Sequence, residues 1–143
     1  MSQRYQITRA AELEQLSVFR DFISDCCGRH EVPNETVFDL KLAVDEACTN
    51  IITHGYKDMD PGSIILSFRI EPDRILVQIT DFGHVFEPAE APKPNVEAAL
   101  EERELGGMGL YLIYQTMDNI DYQSSEDGNT LTFTKYLKQE AKS

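Results

Sequence analysis

At Pro61-Gly62 the hydrophobic period of the chain changes, and this switch restricts the fold more than any other feature. Upstream, between residues 11 and 29, Leu13, Leu16, Phe19, Phe22, Ile23, Cys26 and Cys27 recur at helical spacing. Glu12, Glu14, Arg20, Asp21 and Asp25 fall between them. Gly28 and Pro33 punctuate the end. A second helix is predicted from Pro33-Asn34-Glu35, with Asn34 as N-cap, Gly55 as stop, and Val37, Leu40, Val44, Ala47 and Ile51 on one stripe. Downstream the period is two. Residues 64–70 and 74–80 read as a hairpin around Glu71-Pro72-Asp73, and both arms are dense in β-branched residues. Residues 120–125 and 130–137 read as another, joined by Glu126-Asp127-Gly128-Asn129. A short strand at 3–8 precedes the first helix. Two helices followed by hairpins predict an α/β fold of the α+β two-layer kind, with helices on one face of a mixed, mostly antiparallel sheet.

Residues 84–105 fit neither period. They hold Pro88, Pro92 and Pro94, and six Glu against only Lys93 and Arg103. A loop of about twenty residues in a compact domain is usually functional or disordered. The stretch is predicted to be a mobile lid, with one helical turn near residues 95–102 and a helix from Leu110 to Met117 beyond it. The whole chain, 143 residues, is predicted to be one domain (1–143) able to bury a core without staples.

Charge removes whole classes of function. There are 25 Asp+Glu against 13 Lys+Arg, a net charge of −12. Phosphate gripping runs on Lys and Arg, so direct nucleic-acid binding is not expected. An anionic membrane surface is disfavoured for the same reason. Cys26, Cys27 and Cys48 are odd in number and lack metal spacing, so reduced, core-facing thiols are expected. The N-terminal residues show no apolar signal region and no apolar run approaches a membrane span. A cytoplasmic protein is the expectation.

Three short stretches could carry chemistry, and each also has a plain structural reading. Glu46 and Asn50 stand at i and i+4 in the second helix, one above the other, and His54 continues roughly that stripe. A carboxylate there can accept a proton or orient water, and a neutral amide oxygen can ligate Mg²⁺. The alternative is a solvated helix face or a polar layer. Asp81-Phe82-Gly83 closes a strand. The carboxylate can accept from an exocyclic amine, and Gly83 permits a flat ligand to approach. The alternative is an ordinary strand-to-loop turn. A protein-kinase reading of that tripeptide fails, because no H-R-D loop, no V-A-I-K strand and no upstream glycine loop accompanies it. Gly106-Gly107-Met108-Gly109-Leu110 opens a helix, where backbone N–H groups make an anion site. The alternative is a hinge with a helix start. It is neither a Walker A loop nor a dinucleotide fingerprint.

Together, in this order, the three stretches resemble the asparagine box and the two glycine boxes of the Bergerat fold, the histidine-kinase-like ATPase fold of gyrase, histidine kinases and MutL. Within it, residues 46–56, Glu46-Ala47-Cys48-Thr49-Asn50-Ile51-Ile52-Thr53-His54-Gly55-Tyr56, resemble the first box of bacterial anti-sigma factor serine-protein kinases almost throughout. Met117-Asp118 and Gly128-Asn129-Thr130 also fit. The resemblance spans about residues 38 to 135.

It implies an ATP- and Mg²⁺-dependent kinase. Glu46 would be the general base, Asn50 the Mg²⁺ ligand and Asp81 the acceptor for the adenine amine, with Gly83 beside the ring. Gly106, Gly107 and Gly109, with the amides of Met108 and Leu110, would cradle phosphates. Thr130 would support the adenine site. Arg103 would reach the γ-phosphate, and His54 would line the phosphate end or act as a packing histidine. The implied partners are a sigma factor, a small antagonist protein and a second copy of the chain in a homodimer. In that partner switch the kinase sequesters the sigma factor and phosphorylates the antagonist. The acidic segment would stay open without Mg·ATP. Phe19, Arg20 and Phe22 would lie on a partner face or, alternatively, pack on the chain's own sheet. The first glycine box departs from many relatives, since His84-Val85-Phe86 follows Gly83 without a second glycine. The competing function is a nucleotide-gated binding module of the same fold without phosphotransfer. A sensor histidine kinase domain is disfavoured, because the only upstream histidine is His30, beside Pro33.

Overall fold

Alternation decides which face of the sheet is buried. The computed structural model describes residues 2–84 and 116–137. Along these residues run β1 (Gln3–Ala10), α1 (Leu16–Gly28), α2 (Asn34–Asn50), β2 (Ser63–Glu71), β3 (Arg74–Asp81), β4 (Asn119–Ser125) and β5 (Gly128–Tyr136). The strands form one sheet in the order β1-β2-β3-β5-β4, with every neighbouring pair antiparallel. Register places Tyr5, Phe68, Val77, Phe133 and Ile120 in one row across it, and Ile7, Leu66, Ile79, Leu131 and Tyr122 in the next. These rows share the face covered by α1 and α2. Phe19 and Ile23 from α1, and Leu40 and Val44 from α2, are fully buried with Ile64, Leu66, Phe68, Ile75, Val77, Ile79 and Phe133. Each such side chain contributes roughly 1.5–3 kcal/mol of burial. The other face is polar: Arg4 donates to Ser67 at 3.2 Å, and Gln78 to Thr132 at 3.4 Å.

The two-layer fold expected from the sequence is present, and the departures are local. A single 3-10 turn, Leu13–Gln15, precedes α1, which begins only at Leu16. α1 ends at Gly28 as expected, and Glu31, with φ +54°, lies in the turn before Pro33. Asn34 is not the N-cap of α2. Pro33 holds that place without a side-chain cap, because its ring fixes φ at −56° and its carbonyl takes the Val37 N–H at 3.0 Å. The last hairpin turn is two residues long, so Ser125 already pairs with Gly128 and β5 starts earlier than predicted. Phe19 lies in the core and Phe22 packs against it, so these two side chains belong to the chain's own two-layer packing. The three cysteines are buried free thiols. Burial pushes Cys26 to about 11 and Cys27 to about 12. The predicted lid, apart from His84, and the predicted helix at 110–117, apart from its last two residues, lie outside the described residues.

Candidate nucleotide site

β3 ends on a buried carboxylate. Alternation turns Asp81 to the helix-covered face, where it is 5% exposed, and register sets it opposite Asn129 of β5. Asp81 Oδ1 accepts the Gly83 N–H at 2.9 Å and the Asn129 side-chain amide at 3.0 Å. The same Asn129 nitrogen donates to the Gly83 carbonyl at 3.0 Å. On its other side, Asn129 Oδ1 accepts from the Ser124 hydroxyl at 2.8 Å. Burial raises the pKa of Asp81, and the bonds from Asn129 and Gly83 pull it back down.

The end of α2 is locked to this strand end. After Asn50 the helix widens into one π turn, Ile51–Gly55, closed by Tyr56 N–H to the Ile51 carbonyl at 3.1 Å. Such turns recur at functional sites. The widening buries Gly55 and Tyr56 and leaves His54 exposed. A Cβ on Gly83 would stand 2.2 Å from the Gly55 carbonyl oxygen, so residue 83 can only be glycine in this packing. The contact is tied by the His84 N–H to Gly55 O at 2.5 Å, with His84 Nε2 against the Lys57 carbonyl at 2.9 Å. The Tyr56 hydroxyl donates to the Ser63 carbonyl at 2.8 Å and accepts from the Phe82 N–H at 2.9 Å.

Glu46 and Asn50 lie one turn apart near this end of α2. Glu46 is partly buried, and its pKa is raised first by burial and then by the neighbouring charge of Asp45. Asp45 is itself paired to Arg20 at 2.5 Å. Asn50 is 3% exposed, and its Nδ2 has no hydrogen-bond partner among the described residues. A buried orphan polar group normally marks something that the protein atoms leave unsatisfied. The carboxamide presents either an oxygen or a nitrogen by a half-turn, so it fits a hard cation. Among the described residues no group of three or more His, Cys, Asp or Glu could hold a metal. Among the described residues, Asn50 is the one that would offer such an ion an amide oxygen. Burial raises the pKa of the Cys48 thiol, and the charges of Asp45 and Asp81 add to it.

The histidine kinase-like ATPase domain family matches residues 9–135. Serine-protein kinase RsbW of Bacillus velezensis is 33% identical over 134 residues, which cover 91% of this chain and 83% of that one. Its namesake in Bacillus cereus is 31% identical over the same length, with 91% and 82% covered. The chain belongs to the RsbW family of histidine kinase-like ATPase domains. Solved structures agree on the fold. The RsbU and RsbW domains of Rv1364c from Mycobacterium tuberculosis superpose with a TM-score of 0.71 at 16% identity, covering 97% of this chain and 34% of that one. The blue-light activated histidine kinase of Erythrobacter litoralis EL346 gives 0.61 at 20%, covering 89% and 42%.

With the family in place, the residues named from sequence divide into three sets. Asp81 and Gly83 lie against Gly55 of the π turn, and Glu46 and Asn50 stand on the helix that leads into that turn. Thr130 does not join them. It lies on the sheet's other face, 3.2 Å from the Thr80 hydroxyl oxygen, while its neighbour Asn129 faces Asp81. Arg103, Gly106, Gly107, Met108, Gly109 and Leu110 lie outside the described residues. Sequence reading missed Asn129, Ser124, Gly55 and Tyr56. Strand parity carried the first of these. Asn129 shares its face with Leu131 and Phe133, and the non-local β3–β5 register sets it opposite Asp81; a shift of one residue would exchange the faces.

Proposed function

We propose that this chain is an ATP-dependent protein serine/threonine kinase that acts as an anti-sigma factor in a partner switch. The observation that carries the reading is the Glu46–Asn50 pair, with a partly buried carboxylate and an orphaned amide, in a chain whose relatives are named serine-protein kinases. A protein that only binds nucleotide has no need of a base at Glu46. In this reading 1–143 is one ATPase domain, and 84–105 is its ATP lid. The free oxygen of Asp81 accepts from the adenine amine. Asn50 would hold Mg²⁺, which would supply charge stabilisation to the phosphoryl group. Gly106, Gly107, Met108, Gly109 and Leu110 offer backbone N–H groups to the phosphates, and Arg103 reaches the terminal one. Glu46 takes the proton from the serine hydroxyl of the antagonist as that oxygen bonds the γ-phosphorus and the bond to the ADP oxygen breaks. Positioning and charge stabilisation are most of what phosphoryl transfer requires.

The partners in this reading are a sigma factor, which the kinase sequesters, and a small antagonist protein, which it phosphorylates. It acts as a homodimer in the cytoplasm. Purified protein, Mg·ATP and a cognate antagonist should yield an antagonist heavier by one phosphoryl group, mapped to a single serine or threonine. Nucleotide binding without any phosphoprotein would leave a nucleotide-gated binding module instead. A pull-down from native lysate, with and without ATP, should capture a sigma factor.

A further inference from the structure

Asp81 presents its two oxygens unequally. Oδ1 is filled by two donors, the Gly83 backbone N–H and the Asn129 amide, at 2.9 and 3.0 Å. Oδ2 takes no hydrogen bond from the described residues. A carboxylate held this way offers one directed acceptor and no donor. It suits a ligand with an exocyclic amine and rejects one with a carbonyl at the same place. The holding is done from β5 and β4. Asn129 is 3% exposed, and its nitrogen is shared between Asp81 and the Gly83 carbonyl. Its orientation is not free to reverse, because its nitrogen faces two pure acceptors, Asp81 Oδ1 and the Gly83 carbonyl, while Ser124 donates to Oδ1 at 2.8 Å. A flipped amide would set oxygen against carboxylate and leave the serine without its acceptor. Gly128 makes the approach possible. Its φ is +129°, and a Cβ there would stand 2.9 Å from the Asp81 carbonyl oxygen.

We propose that Asn129, oriented by Ser124, is a positioning residue that occupies one oxygen of Asp81, leaves the other as a pure acceptor, and thereby sets the preference for an adenine over a guanine nucleotide. The inference rests on the reading of this site as a nucleotide site. It goes beyond it by assigning base selectivity to a residue that need not touch the base. In Asn129→Ala the carboxylate keeps its charge but loses its fixed aim. The amine of ATP then finds a poorer acceptor, and a guanine loses less.

The test uses the full chain and three probes: Mg·ATP, Mg·GTP, and the Mg complex of purine riboside triphosphate, which lacks the amine. Calorimetry gives each dissociation constant for wild type, Asn129→Ala and Ser124→Ala. A hydrogen bond to a charged group is worth about a 10- to 100-fold change in affinity. Wild type should favour ATP over the amine-free analogue by about that factor. Asn129→Ala should shrink both that ratio and the ATP-to-GTP ratio by about tenfold or more, and Ser124→Ala by a smaller factor in the same direction. A purely structural role would weaken all three ligands together and leave the ratios fixed, and that result overturns the proposal. If Asn129→Ala does not fold, the Ser124→Ala ratios decide, and unmoved ratios there overturn it equally. Wild type that binds none of the three removes the nucleotide reading and this inference together. Wild type that binds ATP, with ratios unmoved in the variants, removes this inference alone.

Discussion

Glu46 is a carboxylate in an environment that disfavours its charge. Burial and Asp45 both raise its pKa, and Arg20 is spent on Asp45 rather than on it. For a base this is useful, since a raised pKa increases proton affinity in the working range. For stability it is a cost. The folded state keeps the proton above the pH at which an unfolded glutamate has released it, so stability falls as pH rises from the ordinary value through the folded one. Glu46→Gln should therefore abolish phosphotransfer, retain ATP binding, and melt at or above the wild-type temperature near pH 7. A clearly lower melting temperature would mean that the side chain is held for structure. The same shift sets the acid limb of the kinase. The transfer rate should climb with pH through a midpoint above the ordinary glutamate value of about 4.3. A pH–rate profile at saturating Mg·ATP measures that midpoint, and a limb at or below the ordinary value argues against Glu46 as base.

The contact between β3 and the π turn is where packing and site meet. Gly83 and Gly55 approach so closely that a methyl at 83 must part the strand end from the helix end. Gly83→Ala should cost about 1–3 kcal/mol in urea denaturation, the usual penalty of overpacking, and weaken ATP in the same variant. Gly28→Ala is the contrast. No atom lies within 4 Å of a Cβ there, and the site is helical, so stability should rise by about 0.5–1 kcal/mol. Equal effects at the two positions would contradict this account. Sequence showed the elements because their periods are strong: the stripe Leu40, Val44, Ala47 and Ile51 is buried as expected, as are Ile64, Leu66, Phe68 and Ile75, Val77, Ile79 on facing strands. It singled out Glu46, Asn50, Asp81 and Gly83 as candidates because each sits in a short local pattern. It did not show why Gly83 is glycine, since the reason is a carbonyl 28 positions upstream, at Gly55. Nor did it show Asn129, because a hairpin turn placed two residues too wide took Asn129 out of β5, and its pairing with Asp81 is a contact between strands 48 residues apart.

The fold as a whole places this site on an acidic molecule. With a net charge of −12, the long-range field repels a nucleotide triphosphate, and capture has to be local. Among the described residues, Arg20 is already paired to Asp45, the neighbour of Glu46, and Lys57 is the lysine whose backbone meets His84 at the strand end. In the proposed reading, attraction comes from backbone N–H groups and from Mg²⁺, both effective only at short range. Salt then acts in an unusual direction. Raising ionic strength shortens the screening length from about 30 Å at 0.01 M to about 8 Å at 0.15 M, which removes the distant repulsion and spares the close contacts. The association rate of a fluorescent ATP analogue, measured by stopped flow, should rise as monovalent salt goes from about 0.02 to 0.2 M at fixed Mg²⁺. A protein that gathers phosphate with basic side chains behaves oppositely. The rise should steepen when Mg²⁺ is chelated, because the free nucleotide carries more charge. A rate that falls with salt would mean that cations such as Lys93 or Arg103 dominate the mouth of the site, and the reliance on backbone and metal would be wrong.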